Sequence, residues 1–328
     1  MGPGVAERLL DARHHTRLAA LARTDSRLVA HDLAAPPPAV AAALADAEVL
    51  LTCWGVPPLT ASVLAAAPRL RAVVHAAGSV KHHLTDACWE RGIAVSSAAA
   101  ANALPVAEYT LAAILMANKR VLHSAHRYRG LRTGHDWHQE LAGAGNYRRT
   151  VGVIGASRIG RRVVELLRPF ALDVLLYDPY LDAAEAARLG VRLVPLAALC
   201  AGSDVVTVHA PQLPATRHLL GARELALMPD GATLVNTARG SLVDAAALLP
   251  ELVSGRLSAV LDVTEPDLPP PDSPLYELPN VLLTPHIAGS MGTELHRLAD
   301  SALDELARYA GGLPFTDPVR PEHLGRSA

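Results

Sequence analysis

The chain has 328 residues, enough for two domains of ordinary size, each with its own core. Hydrophobic residues make up 50% of it and charged residues 19%, which excludes an intrinsically disordered chain. The formal net charge is −2 and no long Lys/Arg block interrupts the sequence, so neither nucleic acid nor an anionic membrane surface is expected as a partner.

The opening run MGPGVAERLLDARHH lacks the uninterrupted apolar stretch of a signal peptide, and Ala6 stands where a myristoylation site carries Ser or Thr. Short apolar runs then alternate with helical patterns, which is how parallel strands joined by crossover helices read in an α/β chain. EVLLTC (48–53), RAVVHA (71–76) and IAVSS (93–97) are predicted strands of one open sheet, with helices near 60–67 and 83–91. From Pro105, a residue suited to a first helical turn, helical periodicity continues to about Gly130, long enough to link two domains. GHDWHQELAGAGNYRRT (134–150) reads as a connection. A second sheet opens with VGVIG (151–155) and continues through DVLLYD (173–178), VRLV (191–194), DVVTVHA (204–210), ATLVNT (232–237), AVLDV (259–263) and VLLTPH (281–286). A last helix, from about Thr293 to Ala310, is expected to return to the first domain and make it discontinuous. The expected division is thus 1–104 with 290–328, and 105–289.

No apolar segment reads as long and uncharged enough to span a bilayer. Cys53, Cys88 and Cys200 are few, odd in number and not spaced as metal ligands, which suits a reduced, cytoplasmic protein. The doublets His14-His15 and His82-His83 lack metal-site spacing and are expected at the surface, so no metal is predicted.

The run VGVIGASRIGRRV (151–163) carries the most chemistry, because it reads as a buried strand, a glycine-punctuated turn and the first turns of a helix. Gly155 permits a tight turn off the strand and Gly160 a close helix–strand contact. Ser157 stands where a middle glycine is usual, and its hydroxyl can donate to phosphate. Together with Arg158 and Ile159 in the first turn, these residues form the expected pyrophosphate site. Asp178 follows Gly160 by 18 residues and ends the next apolar run, where a carboxylate accepts both ribose hydroxyls; the pair favours NAD over NADP.

In a doubly wound sheet, ligands bind at the carboxyl ends of the strands. VNTARGSLVD places Thr237 and Arg239 at one such end, LDVTEPD places Asp262, Glu265 and Asp267 at another, and LLTPHIAG places His286 at a third. A guanidinium that grips a carboxylate and an imidazolium that protonates a carbonyl oxygen suffice for hydride chemistry on a 2-oxo acid, with a carboxylate stabilising the charged imidazole. Trp54, after the first strand, is either apolar surface near a substrate side chain or a core residue.

With GASRIG (155–160), VHAP (208–211), VNTARGSLVD (235–244), VLDV (260–263) and NVLLTPHIAG (280–289) in order, nearly the whole chain resembles the D-isomer-specific 2-hydroxyacid dehydrogenase family. The resemblance implies a homodimer of two-domain subunits: a Rossmann NAD-binding domain and a smaller, doubly wound, flavodoxin-like substrate domain, with NAD and substrate in the cleft between them. It implies Arg239 as the substrate-binding arginine, His286 as the acid/base, Thr237 and Asp262 near the nicotinamide end, and Asp178 at the adenosine ribose. His209 then lines the adenine side, and Gly78-Ser79 belong to the loop that holds the substrate carboxylate. The family's Glu–Pro–Leu–Pro run is altered to TEPDLPPPDSP (264–274), leaving both Asp267 and Glu265 as candidates for the third catalytic group. The loop AAGSVKHH (76–83) also lacks the family's second glycine and Asp. The family includes co-repressor-like NAD-sensing proteins and enzymes that oxidise formate or phosphite, which remain the alternatives.

Overall fold

The computed structural model describes residues 1–25 and 28–324, so the last four positions of the expected first domain, 325–328, lie outside the described residues. The chain forms two compact units, Met1–Ala103 with Ser290–Ala328, and Leu104–Gly289.

The first unit is built on strands β1 (Val49–Thr52), β2 (Ala72–His75) and β3 (Ala94–Ser97), parallel and adjacent in that order. Parallel neighbours need crossovers, supplied here by the helices Ala61–Ala66 and Asp86–Glu90. Side chains alternate between the two faces: Val73 packs with Leu59, Val63, Cys88 and Val95, while Val74 packs with Leu9, Cys53, Leu298 and Ala302. The second set includes the returning helix Leu295–Ala310, which makes that C-terminal helix part of this unit's core. Winding among the described strands runs one way, so the reversal of strand order expected of a flavodoxin-like sheet is not formed by them; Pro318 adds only an isolated antiparallel bridge to Ser96. Two N-terminal helices, Val5–Leu9 and Ala12–Leu21, were not predicted. Asp11 caps the second by accepting the His14 amide at 2.9 Å.

The expectation that both histidine doublets lie at the surface is corrected. His14 is buried against the returning helix, and its Nε2 stands 3.3 Å from Asp300. His83 is buried with its ring centroid 4.4 Å from that of His75, whose Nδ1 shares a 2.9 Å hydrogen bond with the Thr52 hydroxyl. Burial, reinforced by the neighbouring ring, pushes the His75 pKa down to about 3; burial, then nearby His82, pushes His83 down to about 4. The three cysteines are free and buried, and burial raises the Cys53 thiol to about 11 and the Cys200 thiol to about 12.

The second unit holds a seven-stranded, wholly parallel sheet. Its strands are β4 (Arg149–Ile154), β5 (Leu172–Tyr177), β6 (Arg192–Leu193), β7 (Val205–Val208), β8 (Thr233–Asn236), β9 (Ser258–Leu261) and β10 (Val281–Leu283). The order is β10-β9-β8-β7-β4-β5-β6, so the chain reverses direction across the sheet between β4 and β7. Both faces are covered, which is why the strands read as unbroken apolar runs. Ile154, Val206, Val208 and Leu234 serve one core, and Val151, Val153, Val205 and Val235 the other. A Cβ on Gly152 would stand 2.5 Å from both Leu199 Cδ2 and Ser203 Oγ, so the bare backbone lets the helix Leu196–Gly202 lie against β4.

The long predicted helix is two. The first, Ala99–Asn118, begins before Pro105 and carries it inside; the second is Val121–Leu131. Arg120, with a left-handed φ of 51°, breaks the path, and the buried Asn118 gives its carbonyl to the Gly145 amide. By length and hydropathy the first helix meets the requirement for crossing a membrane, which corrects the reading that no segment does. It is used here as a core helix, with Ala107, Ala113 and Ile114 packed beside β4 and β7. The connection 134–150 contains a short helix, Trp137–Glu140.

The buried neighbours His75 and His83 make stability depend on pH. Their folded pKa values lie below the unfolded value of about 6.5, so below that pH the unfolded chain binds more protons and stability falls by up to ~1.4 kcal/mol per histidine per pH unit. Urea titrations at pH 7, 6 and 5 are expected to show that fall, and His83→Leu to flatten it by about one proton.

Candidate active site

The predicted functional residues of the second unit lie along the carboxyl edge of its sheet. Going across from β5, that edge carries Asp178, then the glycine turn after β4, His209 after β7, Thr237 and Arg239 after β8, Asp262 to Asp267 after β9, and His286 after β10.

At the glycine turn, main chain replaces side chain. Gly155 has φ 96°, and a Cβ there would stand 2.7 Å from the Ala210 amide nitrogen; a Cβ on Gly160 would stand 2.0 Å from the Gly155 carbonyl oxygen. Ser157 caps the helix Arg158–Leu167, its hydroxyl accepting the Gly160 amide at 3.2 Å, which leaves its proton to donate. The Ile159 amide belongs to the first turn, whose N–H groups point out of the helix end, and Arg158 is exposed there. Asp178 is held beside the turn by two amides, Ala156 at 2.7 Å and Tyr180 at 2.8 Å, one to each carboxylate oxygen. A fixed negative charge at this place accepts ribose hydroxyls and repels a 2′-phosphate. The turn and Asp178 therefore fit NAD. His209 lies beneath the turn, buried, with Nε2 2.9 Å from the Thr207 hydroxyl and Nδ1 without a partner among the described residues; burial pushes its pKa down to about 3.

The other end of the edge is built from side chains. Asn236, a residue sequence reasoning passed over, accepts the Ala238 amide at 3.1 Å and donates to the Arg239 carbonyl at 2.9 Å, fixing the loop that bears the guanidinium. Arg239 is half-buried and donates to the Ala238 carbonyl at 2.7 Å; burial lowers its pKa while the charge of Asp267 acts in the opposite direction. Thr237 is buried and shares a 2.9 Å hydrogen bond with Thr110. Gly240 was also passed over. A Cβ there would stand 2.0 Å from the Thr264 carbonyl carbon and oxygen, so only glycine lets the Arg239 loop meet the acidic loop after β9.

In that acidic loop the two carboxylate candidates part company. Glu265 pairs with Arg217 at 2.6 Å and with His218 at 3.5 Å, and Arg217 holds its carboxyl below the usual range. Asp267 is exposed and is the carboxylate whose charge reaches Arg239. Asp262 is buried, its carboxylate accepting the Ile287 amide at 2.8 Å, the Ala288 amide at 2.9 Å and the Thr284 hydroxyl at 2.7 Å. His286 is exposed, in a left-handed backbone with φ 56°, and its amide donates to the Asp262 carbonyl at 2.9 Å.

In the first unit, Gly78 and Ser79 follow β2, and a Cβ on Gly78 would touch Asn102 Nδ2 at 3.5 Å. The Ser79 hydroxyl accepts the Lys81 amide at 3.5 Å. Trp54 follows the neighbouring β1 and is exposed, so the core reading of that residue is set aside.

The pattern matches known proteins. The family model described as D-isomer specific 2-hydroxyacid dehydrogenase, NAD binding domain, matches residues 111–288. The chain is 35% identical over 260 residues to the D-3-phosphoglycerate dehydrogenase of Archaeoglobus fulgidus, covering 79% of this chain and 49% of that one. It is 34% identical over 257 residues to the glyoxylate reductase of Korarchaeum cryptofilum, covering 78% and 77%. Its fold is similar to that of the NAD-dependent formate dehydrogenase from Staphylococcus aureus in complex with NAD, with TM-score 0.63, 28% identity and 86% of each chain covered. The chain spans about half the length of the phosphoglycerate dehydrogenase it matches. It belongs to the D-isomer-specific 2-hydroxyacid dehydrogenase family, and its second unit is that family's NAD-binding domain.

The close approaches make a mutational prediction. Gly240→Ala is expected to cost about 1–3 kcal/mol in urea unfolding by pushing the acidic loop off the Arg239 loop. Gly130→Ala, at a helical glycine with nothing within 4 Å of the new Cβ, is expected to be neutral or slightly stabilising.

Proposed function

We propose that the chain is an NAD-dependent dehydrogenase that interconverts a small 2-hydroxy acid and its 2-oxo acid. The observation that carries this reading is the order of groups along one sheet edge. The adenosine-ribose carboxylate Asp178 and the glycine turn stand on β5 and β4, while Arg239 and His286 stand beyond β7, on the ends of β8 and β10. A dinucleotide laid along that edge from Asp178 carries its nicotinamide toward the Arg–His end. NAD, when bound, supplies or accepts the hydride at the substrate carbon. The residues of this chain handle the rest: Arg239 binds the substrate carboxylate and carbonyl oxygen through paired N–H groups, and His286 gives the carbonyl oxygen its proton in reduction and takes it back in oxidation. Thr237 and Asp262 support the nicotinamide end, His209 underlies the cofactor turn, and Gly78-Ser79 hold the substrate carboxylate.

Of the two carboxylate candidates the reading favours Asp267, because Glu265 is already paired with Arg217 and His218. The relatives act, by name, on phosphoglycerate and glyoxylate, which supports a 2-oxo acid substrate class. A homodimer and a cytoplasmic location are part of the proposal, the second supported by three buried free thiols. One observation favours the alternative of an NAD-sensing binding protein: among the described residues no carboxylate is ion-paired with His286.

NADH consumption against a panel of 2-oxo acids, with NAD reduction by formate alongside, tests the reading. His286→Ala is expected to cut kcat by about 10³-fold or more while NADH affinity stays within about twofold. Asp267→Asn is expected to lower kcat/KM by about 10²-fold, whereas Glu265→Gln leaves it within about threefold. NADH binding with no turnover on any substrate favours the sensing protein.

A further inference from the structure

His286 holds a left-handed backbone conformation that is uncommon for a non-glycine residue, at an exposed position where side-chain packing does not fix it. The His286 amide is shared between the Thr284 carbonyl at 3.0 Å and the Asp262 carbonyl at 2.9 Å, and the buried Asp262 holds the residues that follow as well. Three successive amides turn toward Asp262: that of His286 to its main-chain carbonyl, and those of Ile287 and Ala288 to separate oxygens of its carboxylate. Such a clamp works only while the carboxylate keeps the rotation that meets both amides, and no cation is paired with Asp262 among the described residues.

Two hydroxyls set that rotation. A carboxylate receiving amides on both oxygens offers only acceptors, so the 2.7 Å contact from Thr284 Oγ1 to Asp262 Oδ1 uses the threonine proton. The 2.9 Å contact between Tyr109 Oη and Thr284 Oγ1 must then use the phenolic proton. The chain of donors runs one way, from Tyr109 on the helix Ala99–Asn118, through Thr284 at the end of β10, to Asp262 at the end of β9. Tyr109 is half-buried, and burial raises its pKa, with the Thr284 hydroxyl acting the other way and the nearby Asp262 charge adding to the rise.

We propose that Tyr109 and Thr284 are positioning residues for His286: their directional hydroxyl chain locks the Asp262 carboxylate against the amides that follow His286, and so fixes the imidazole at the sheet edge. The inference rests on reading His286 as the acid/base. Neither hydroxyl touches substrate or cofactor in this role. Asp262, in turn, holds the loop through three protein donors, the Thr284 hydroxyl and the Ile287 and Ala288 amides.

Thr284→Val keeps the shape and removes the hydroxyl; Thr284→Ser keeps the hydroxyl and removes a methyl group. In the full chain, Thr284→Val is expected to lower kcat about 10- to 100-fold with NADH affinity within about twofold, Thr284→Ser to restore kcat to within about threefold, and Tyr109→Phe to lower it about 3- to 10-fold. Amide hydrogen exchange at Ile287 and Ala288 is expected to quicken at least about tenfold in Thr284→Val and measurably in Tyr109→Phe, but not in Thr284→Ser. Wild-type kcat in Thr284→Val, equal damage in the Ser and Val variants, or unchanged exchange at both amides overturns the proposal. If the unmodified protein turns over no substrate, the acid/base reading fails and the positioning of a catalytic group fails with it. The exchange data then decide separately whether the clamp exists. Should Thr284→Val fold poorly, Tyr109→Phe, which leaves the end of β10 intact, carries both readouts.

Discussion

Where β4 ends, two stretches of main chain lie closer than any side chain permits. Gly155 rests against His209 and Ala210 from the end of β7, and Gly160 rests against Gly155 from the first turn of the following helix. Both contacts fall at the reversal of strand order, which is where an open parallel sheet leaves a crevice. The rest of the cofactor end follows from this crowding. The helix N-terminus reaches the crevice only because Gly160 lacks a side chain, and Asp178 reaches the turn because the Ala156 amide is free to meet it.

Beyond the turn, the carboxyl edge is organised by polar side chains near strand ends that bind the next loop. Asp178 holds the Ala156 and Tyr180 amides, Asn236 holds both the amide and carbonyl sides of the Arg239 loop, and Asp262 holds the loop after β10. Each binds main chain, Asp262 accepting the Thr284 hydroxyl as well, so the loops are held by the protein's own groups. Those loops are the ones that bear Ser157, Arg239 and His286. The acid/base candidate is thus held through a residue that is itself shielded from solvent.

This division explains what the sequence revealed and what it withheld. Strands buried on both faces must be apolar throughout, so runs such as VGVIG and DVVTVHA were legible from composition alone. Gly155 and Gly160 were legible because their spacing follows the geometry of a turn. The break in the long helix was not, since Arg120 takes a left-handed conformation without glycine or asparagine to mark it. The burial of His14 and His83 was equally hidden, because the groups they pack against, the returning helix for His14 and the His75 ring for His83, lie far off in the sequence or on another element, and local polarity says nothing of that. Asp262 was legible as a carboxylate at a strand end, but its hold on the loop after β10 was not, because the amides it accepts belong to a different segment. Gly240 carried no signal until the strand β9 loop was seen against it. The pairing of Glu265 with Arg217 and His218 was not legible either, because both partners lie in a different loop.

Arg239 differs electrostatically from Arg256, another partly buried arginine of its unit. Its guanidinium is half-buried, makes one hydrogen bond to a neighbouring carbonyl, and is pushed below its ordinary pKa by burial, with Asp267 recovering part of the cost through its charge. A cation in that condition is under-compensated, because it has left bulk water without gaining a hydrogen-bonded carboxylate among the described residues. Its remaining N–H groups are in a rigid fork suited to a second anion. By contrast Arg217 and Arg256, each satisfied by a glutamate at 2.6 Å and 2.5 Å, are raised. The difference separates Arg217 and Arg256, whose charge a glutamate meets, from Arg239, whose fork keeps N–H groups beyond its one bond to the Ala238 carbonyl, and that contrast is what supports its proposed role as a substrate-binding arginine.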